Sequence, residues 1–218
     1  MARDHRVRIK SREDIAKIAM SWWNAANKQG RSFNICEFVV ETLTKRFTQK
    51  GRLQTECYDR GRADEPAFVT FRPLVLHIDR KIWEAAGLGD TYARFVVAHE
   101  IGHIVLHDEF AVAFSDDEAA QLAYLDNEES GEWQANVFAG YFLAPDHVVL
   151  KLGDADVIAG LCVISDELAL KRYTEAKNTK EVLHQKYEGD MCNECSNFTL
   201  IRNGCTTTCD TCGRSMSC

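Results

Sequence analysis

Apolar side chains recur along this chain mainly at helical spacing. Ser11-Arg-Glu-Asp14 reads as a capping signature, and Ile15, Ile18, Ala19, Trp22 and Trp23 follow at intervals of three and four, predicting a helix over Ser11 to Lys28. Asn34 is placed to cap a second helix that buries Ile35, Phe38, Val39 and Leu43. Gly51 to Pro66 is polar and turn-rich. Phe68 to Asp79 reads as one or two strands interrupted at Pro73. Thr91 to His107 holds an apolar run and predicts an amphipathic helix. Asp116 to Glu129 is acidic and predicts an exposed loop or short helix. Glu132 to Leu143 is a second strongly apolar helix that ends before Pro145. Short helices are expected at Asp146 to Leu152 and Asp154 to Leu161. A further one begins after Ser165, whose hydroxyl is placed to cap it. Ala176 to Asp190 is charged, lacks an apolar stripe, and reads as a connector.

Within the first of the two apolar helices stands His99-Glu-Ile-Gly-His103. Positions i and i+4 share one helix face, so His99 and His103 can converge on one cation. Glu100 then lies beside the metal as a general base. A tetrahedral catalytic zinc needs a third protein ligand. His107 is excluded by geometry, because on a straight helix it stands about 12 Å along the axis from His99. Position 109 is a glutamate, so the elongated histidine motif is incomplete. Glu132 is the preferred third ligand, since it opens the next helix and is held in place. Glu128 and Glu129 are rivals in a more polar stretch. Asn136, polar in an apolar run, and His107 are expected to hydrogen-bond the ligand histidines. His77, Tyr92 and Tyr141 are candidates for stabilising an oxyanion. For His5, His147 and His184 an ordinary surface or core role is expected.

Composition narrows the setting. The 218 residues suffice for one well-buried domain and a small appendage. A formal net charge of −7 disfavours broad capture of nucleic acid or anionic membrane, although Arg3 to Arg12 holds five basic residues. No run reaches the length of a membrane span and no leader pattern opens the chain, so a cytoplasmic location is expected. Six of the nine cysteines crowd into the last 27 residues. Cys192-Asn-Glu-Cys195 and Cys209-Asp-Thr-Cys212, thirteen residues apart, are two knuckles able to close a structural zinc site. Phe198 to Arg202 is strand-like and Asn203-Gly204 is a turn signal. Cys205 and Cys218 fall outside that pattern, as spare thiols or a redox pair. The tail carries Arg202 and Arg214 against Asp190, Glu194 and Asp210, a poor balance for phosphate contact.

The stretches Ala98 to His107, Glu132 to Pro145 and Val163 to Arg172 together resemble the ImmA/IrrE family of bacterial and phage metallopeptidases, over roughly Ile35 to Glu175. The tail resembles the zinc ribbon of some ribonucleotide reductases, through Asn197-Phe-Thr-Leu-Ile-Arg-Asn-Gly204 and Cys209-Asp-Thr-Cys-Gly213. The resemblance implies an α+β fold: a mainly helical, zincin-like metallopeptidase domain with a small β-sheet, plus a C-terminal zinc ribbon. It implies zinc on His99, His103 and Glu132, with Glu100 as base. The expected division is a helical extension over 1–30, the peptidase domain over 31–176, a charged connector over 177–190 and the ribbon over 191–218. Two zinc ions are expected, one catalytic and one structural. The resemblance further implies an endopeptidase acting on a regulatory protein, a helix-turn-helix repressor or antitoxin, in transcription control or mobile elements. The alternative is a non-catalytic regulator that binds such a partner and uses the ribbon for recognition or redox sensing.

Overall fold

The computed structural model describes residues 6–27, 32–47, 53–59, 65–107, 127–186, 192–194, 200–203, 206–210 and 212–217. Helix α1 (Arg12–Ala26) is capped by Ser11, whose hydroxyl oxygen accepts from Asp14 N. Helix α2 (Ile35–Phe38) is capped by Asn34, which accepts from Cys36 N and Glu37 N. It passes through a π-helical turn (Val39–Leu43) into α3 (Thr44–Arg46). Strands β1 (Gln54–Tyr58), β2 (Ala67–Phe71) and β3 (Leu74–Asp79) form one sheet in the order β1-β3-β2. β1 runs parallel to β3 and β2 antiparallel to it. Asp79 closes β3 and caps α4 (Arg80–Gly87), accepting from Lys81 N and Ile82 N. Then follow α5 (Thr91–Leu106), α6 (Gly131–Leu143), α7 (Asp146–Leu152), α8 (Ala155–Cys162) and α9 (Asp166–Lys186).

This is an α+β fold. Its centre is the pair α5 and α6, the two continuously apolar segments, which pack on each other while α1 packs on α6. Their side chains include Val97, Ala98, Ile101, Ala135, Phe138 and Phe142, each fully buried. Phe33, Phe38 and Phe142 meet edge-on or tilted at centroid distances of 5.2 to 6.0 Å, extending the core beneath α2. Burying such rings is the largest apolar contribution available to a unit of this size.

The chain divides into two compact units, Met1–Arg172 and Tyr173–Cys218. In the second, β4 (Leu200–Asn203), β5 (Thr206–Cys209) and β6 (Ser215–Ser217) form an antiparallel sheet in that order. Among the described residues no helix is long and apolar enough to cross a membrane. Three elements differ from the sequence expectation. β1 occupies part of the stretch read as turns, and α4 fills a segment left unassigned. α9 runs on to Lys186, through much of the expected connector. Of the acidic stretch 116–129, only a single 3-10 turn, Asn127–Glu129, lies among the described residues.

Candidate metal centre

Helices α5 and α6 cross closely because the contact sets a glycine, Gly102, against Ala135, whose side chain is only a methyl group. A methyl group added to Gly102 would stand 3.0 Å from the Ala135 Cα and 3.1 Å from its carbonyl oxygen. That approach brings the first turn of α6 against the middle of α5. Ser130 fixes the entry to α6, its hydroxyl accepting from Trp133 N at 3.0 Å. Glu132, one residue into the helix, therefore reaches back to the histidine face of α5.

The three side chains converge. Glu132 Oε2 lies 3.2 Å from His99 Nε2, and Oε1 lies 3.4 Å from His103 Nε2. The two Nε2 atoms are 3.0 Å apart. All three offer ligand atoms within 4.8 Å of one another, a spacing a single ion can bridge. Asn136, one turn beyond Glu132, places its Oδ1 3.0 Å from His99 Nδ1. An amide oxygen only accepts, so His99 donates from Nδ1 and its Nε2 carries a bare lone pair. His107 Nδ1 lies 3.1 Å from His103 Nδ1, and its Nε2 lies 3.3 Å from Gln134 Oε1.

Two imidazole nitrogens and a carboxylate turned on one another suit a positive charge between them. The electrostatics say the same. Burial works against a charged His99, yet Glu132, the Glu100 carboxylate and Asn136 together outweigh it and raise its proton affinity. Burial likewise pushes Glu132 upward, but its interaction with the His103 and His99 imidazoles, wherever these carry a proton in the metal-free chain, holds its carboxyl far below the usual range. The donor set, two imidazoles and one carboxylate, suits zinc. Glu100 is 6% exposed, and its carboxyl is raised to about 7. Burial is the main cause, and the Glu132 and Glu65 carboxylates add to it while His99 opposes it.

The other candidates lie elsewhere in the structure. Glu128 turns its backbone carbonyl to Gln134 Nε2 at 2.7 Å, and the Glu129 carboxylate pairs with Arg6. Tyr141 is buried with the Arg172 guanidinium carbon 3.7 Å over its ring centroid. Tyr92 is 60% exposed in the first turn of α5. His77 stacks on Phe68 at 4.5 Å and lies 3.1 Å from the Thr70 hydroxyl and 3.4 Å from a Glu56 oxygen. His147 meets Trp23 edge-on at 4.9 Å. His5 lies outside the described residues, as does the His184 side chain. Gln134 and Glu65 were not singled out from the sequence. Gln134 carried a usable signal, a second amide two positions from Asn136 in the same apolar run; Glu65 carried none, because only the folded chain brings it near Glu100.

In the second unit the thiols of Cys192, Cys209 and Cys212 also lie within 4.8 Å of one another, with Cys192 and Cys212 sulfurs 3.7 Å apart. Cys209 N donates to Arg214 O and Gly213 N donates to Cys209 O, both at 2.8 Å, closing a tight turn. Gly213 takes φ +74° there, a left-handed conformation suited to glycine. Sulfurs so gathered fit a soft metal ion. Cys195, Cys205 and Cys218 lie outside the described residues.

Comparison with known proteins agrees with this division. Residues 70–157 match the Peptidase_M78 family model, the IrrE N-terminal-like domain. A short C-terminal stretch is similar to vitamin B12-dependent ribonucleotide reductases, which are far longer than this chain. Identity is 49% over 45 residues with the Bradyrhizobium diazoefficiens enzyme, covering 21% of this chain and 4% of that one. It is 56% over 34 residues with the Agrobacterium fabrum enzyme, covering 16% and 3%. A solved Mycobacterium tuberculosis transcriptional regulator aligns at TM-score 0.44 and 16% identity, over 70% of this chain and 44% of that one. That likeness is too remote to carry fold or function. The metallopeptidase-like character of the first unit rests on the family match over residues 70–157 and on the donor set of α5 and α6.

Proposed function

We propose that the first unit is a zinc-dependent endopeptidase whose substrate is a regulatory protein, a helix-turn-helix repressor or an antitoxin. The observation that carries this reading is the convergence of His99, His103 and Glu132 with the buried Glu100 next to them in sequence. His99, His103 and Glu132 would hold the ion, and Asn136 and His107 bond the outer nitrogens of the two histidines. A zinc ion there would supply Lewis acidity toward water and toward a peptide carbonyl. Glu100 takes the proton of the attacking water and returns it to the departing amine, so the peptide bond is exchanged for a carboxylic acid and an amine. In the metal-free chain burial raises its carboxyl to about 7, which marks it as a group able to hold a proton inside the site. The cysteine unit is proposed as a structural zinc ribbon on Cys192, Cys195, Cys209 and Cys212, serving protein recognition or sensing. A place in transcription control, and in the cytoplasm, belongs to the same proposal.

The test is Glu100→Gln in the full chain, co-expressed with helix-turn-helix proteins encoded beside it. Cleavage by the parent and its loss in the variant, with zinc content kept, is expected. Cleavage at the parent's rate would remove Glu100 from the mechanism. Binding of the same partner without cleavage by either protein would favour the non-catalytic regulator.

A further inference from the structure

His103 is wired to the N-terminal arm, which lies outside the 70–157 stretch matched by the family. Residues 6–8 run beside the turn that opens α6. Arg6 bridges with Ser130, Val7 N donates to Glu129 O at 2.9 Å, and Arg6 pairs with the Glu129 carboxylate. Gln134, fully buried, donates both amide protons to backbone: to Arg8 O at 2.9 Å and to Glu128 O at 2.7 Å. Flipping that amide would set its oxygen against two carbonyls, so the orientation is fixed. Its Oε1 therefore faces His107 Nε2 at 3.3 Å and can only accept.

The consequence passes along the chain of bonds. His107 must donate from Nε2, which leaves its Nδ1 as an acceptor. His103 Nδ1, 3.1 Å away, must then donate to it. His103 Nε2 is left bare and faces the ion site. Neutral imidazole has two tautomers, and only this one can ligate through Nε2. We infer that Gln134 and the N-terminal arm are positioning elements for the metal centre, setting the tautomer of His103 through His107. The inference rests on His103 being a zinc ligand.

Ring nitrogen spectra of the zinc-loaded, full-length protein test it directly. The expected result is a protected proton on His103 Nδ1 with coupling across the hydrogen bond to His107 Nδ1. A proton on His107 Nδ1 instead would overturn the relay, without recourse to any variant. Zinc affinity at this site, followed through the His99 and His103 ring signals against a competing chelator, gives the second readout. His107→Leu, Gln134→Leu and removal of residues 1–9 should each weaken it by roughly ten- to a hundredfold. His107→Gln should keep nearly the parental affinity, because its amide can accept from His103 and donate to Gln134. Unchanged affinity in both leucine variants would overturn the inference while leaving the zinc site standing. Parental ring signals indifferent to zinc would instead remove the metal centre itself.

Discussion

Gly102 and Ala135 lie in contact, and this contact sets the separation of the helices that carry His99 and His103 on one side and Glu132 on the other. The atoms nearest a methyl group on Gly102 would be the Ala135 Cα and carbonyl oxygen, at 3.0 and 3.1 Å. Both belong to backbone, so neither can rotate away. The spacing that brings Glu132 within 3.2 Å of His99 thus depends on a hydrogen atom at position 102.

Gly102→Ala is therefore expected to be destabilising despite the better helix propensity of alanine. The propensity gain is about 1 kcal/mol in a helix interior, whereas overpacking a rigid contact costs about 1–3 kcal/mol. The helices would part, and zinc affinity would fall along with the melting temperature. A melt above that of the parent with unaltered zinc binding would show that the contact is not the constraint.

Glu100 gives the metal-free protein a pH dependence of definite sign. Its carboxyl ordinarily titrates at 4.5, and burial first of all raises it to about 7 in the folded chain. Folding thus favours the protonated form. The associated stability is complete below the ordinary value, declines as pH rises through this interval, and is gone above about 7. Glu100→Gln removes that dependence. Thermal melts of the two metal-free proteins should agree most closely near pH 4.5. By pH 8 the variant should be the more stable by about 3 kcal/mol, following the cost of one pKa unit. A constant difference across that range would mean that the folded carboxyl is not raised.

Much of this was legible in the chain because the decisive signals are local. Caps at Ser11, Asn34 and Ser165, the apolar runs of α5 and α6, and the stop before Pro145 each depend on neighbours within a few residues. β1 was not legible, since Gln-Thr-Glu-Cys-Tyr has no buried face and becomes a strand only by pairing with β3. α4 is short and buries only Ala86, so its apolar pattern is thin. Within the site, His99, Glu100, His103 and Glu132 could be proposed from spacing. The role of Gln134 could not, because its partners Arg8 and Glu128 meet it only in the folded chain.

Arg172 and Asp146 form an ion pair in which the two partners are unequally placed. The Arg172 side chain is 2% exposed and that of Asp146 is 33% exposed. Arg172 also donates from Nε to Ala144 O at 3.2 Å and covers the ring of Tyr141. Asp146→Ala leaves the buried guanidinium without its carboxylate and is expected to cost about 3 kcal/mol. Arg172→Met fills similar space and leaves behind an acid that water can still reach, so it should cost about 1–2 kcal/mol, within the range for such replacements. Chemical denaturation of both variants reads the order. A larger loss in Arg172→Met would show that packing, rather than stranded charge, dominates this contact.

Among the described residues, the small sheet of the second unit is backed mainly by thiols. Its buried cluster consists of Cys192, Leu200 and Cys209 among the described residues, too little apolar surface to offset the entropy of ordering three strands. Metal binding should therefore supply the folding energy, as in other small thiolate sites. Zinc analysis of the intact chain is expected to give about two ions, and Cys209→Ser about one. Amide exchange in β4, β5 and β6 should lose its protection in that variant while α5 and α6 keep theirs. Cys195→Ser tests whether the knuckle thiol outside the described residues completes the set, and the same loss is expected there. Strands that stay protected after Cys209→Ser would mean that the sheet folds without the ion, and the tail would then be a thiol-bearing module instead of a metal-built one.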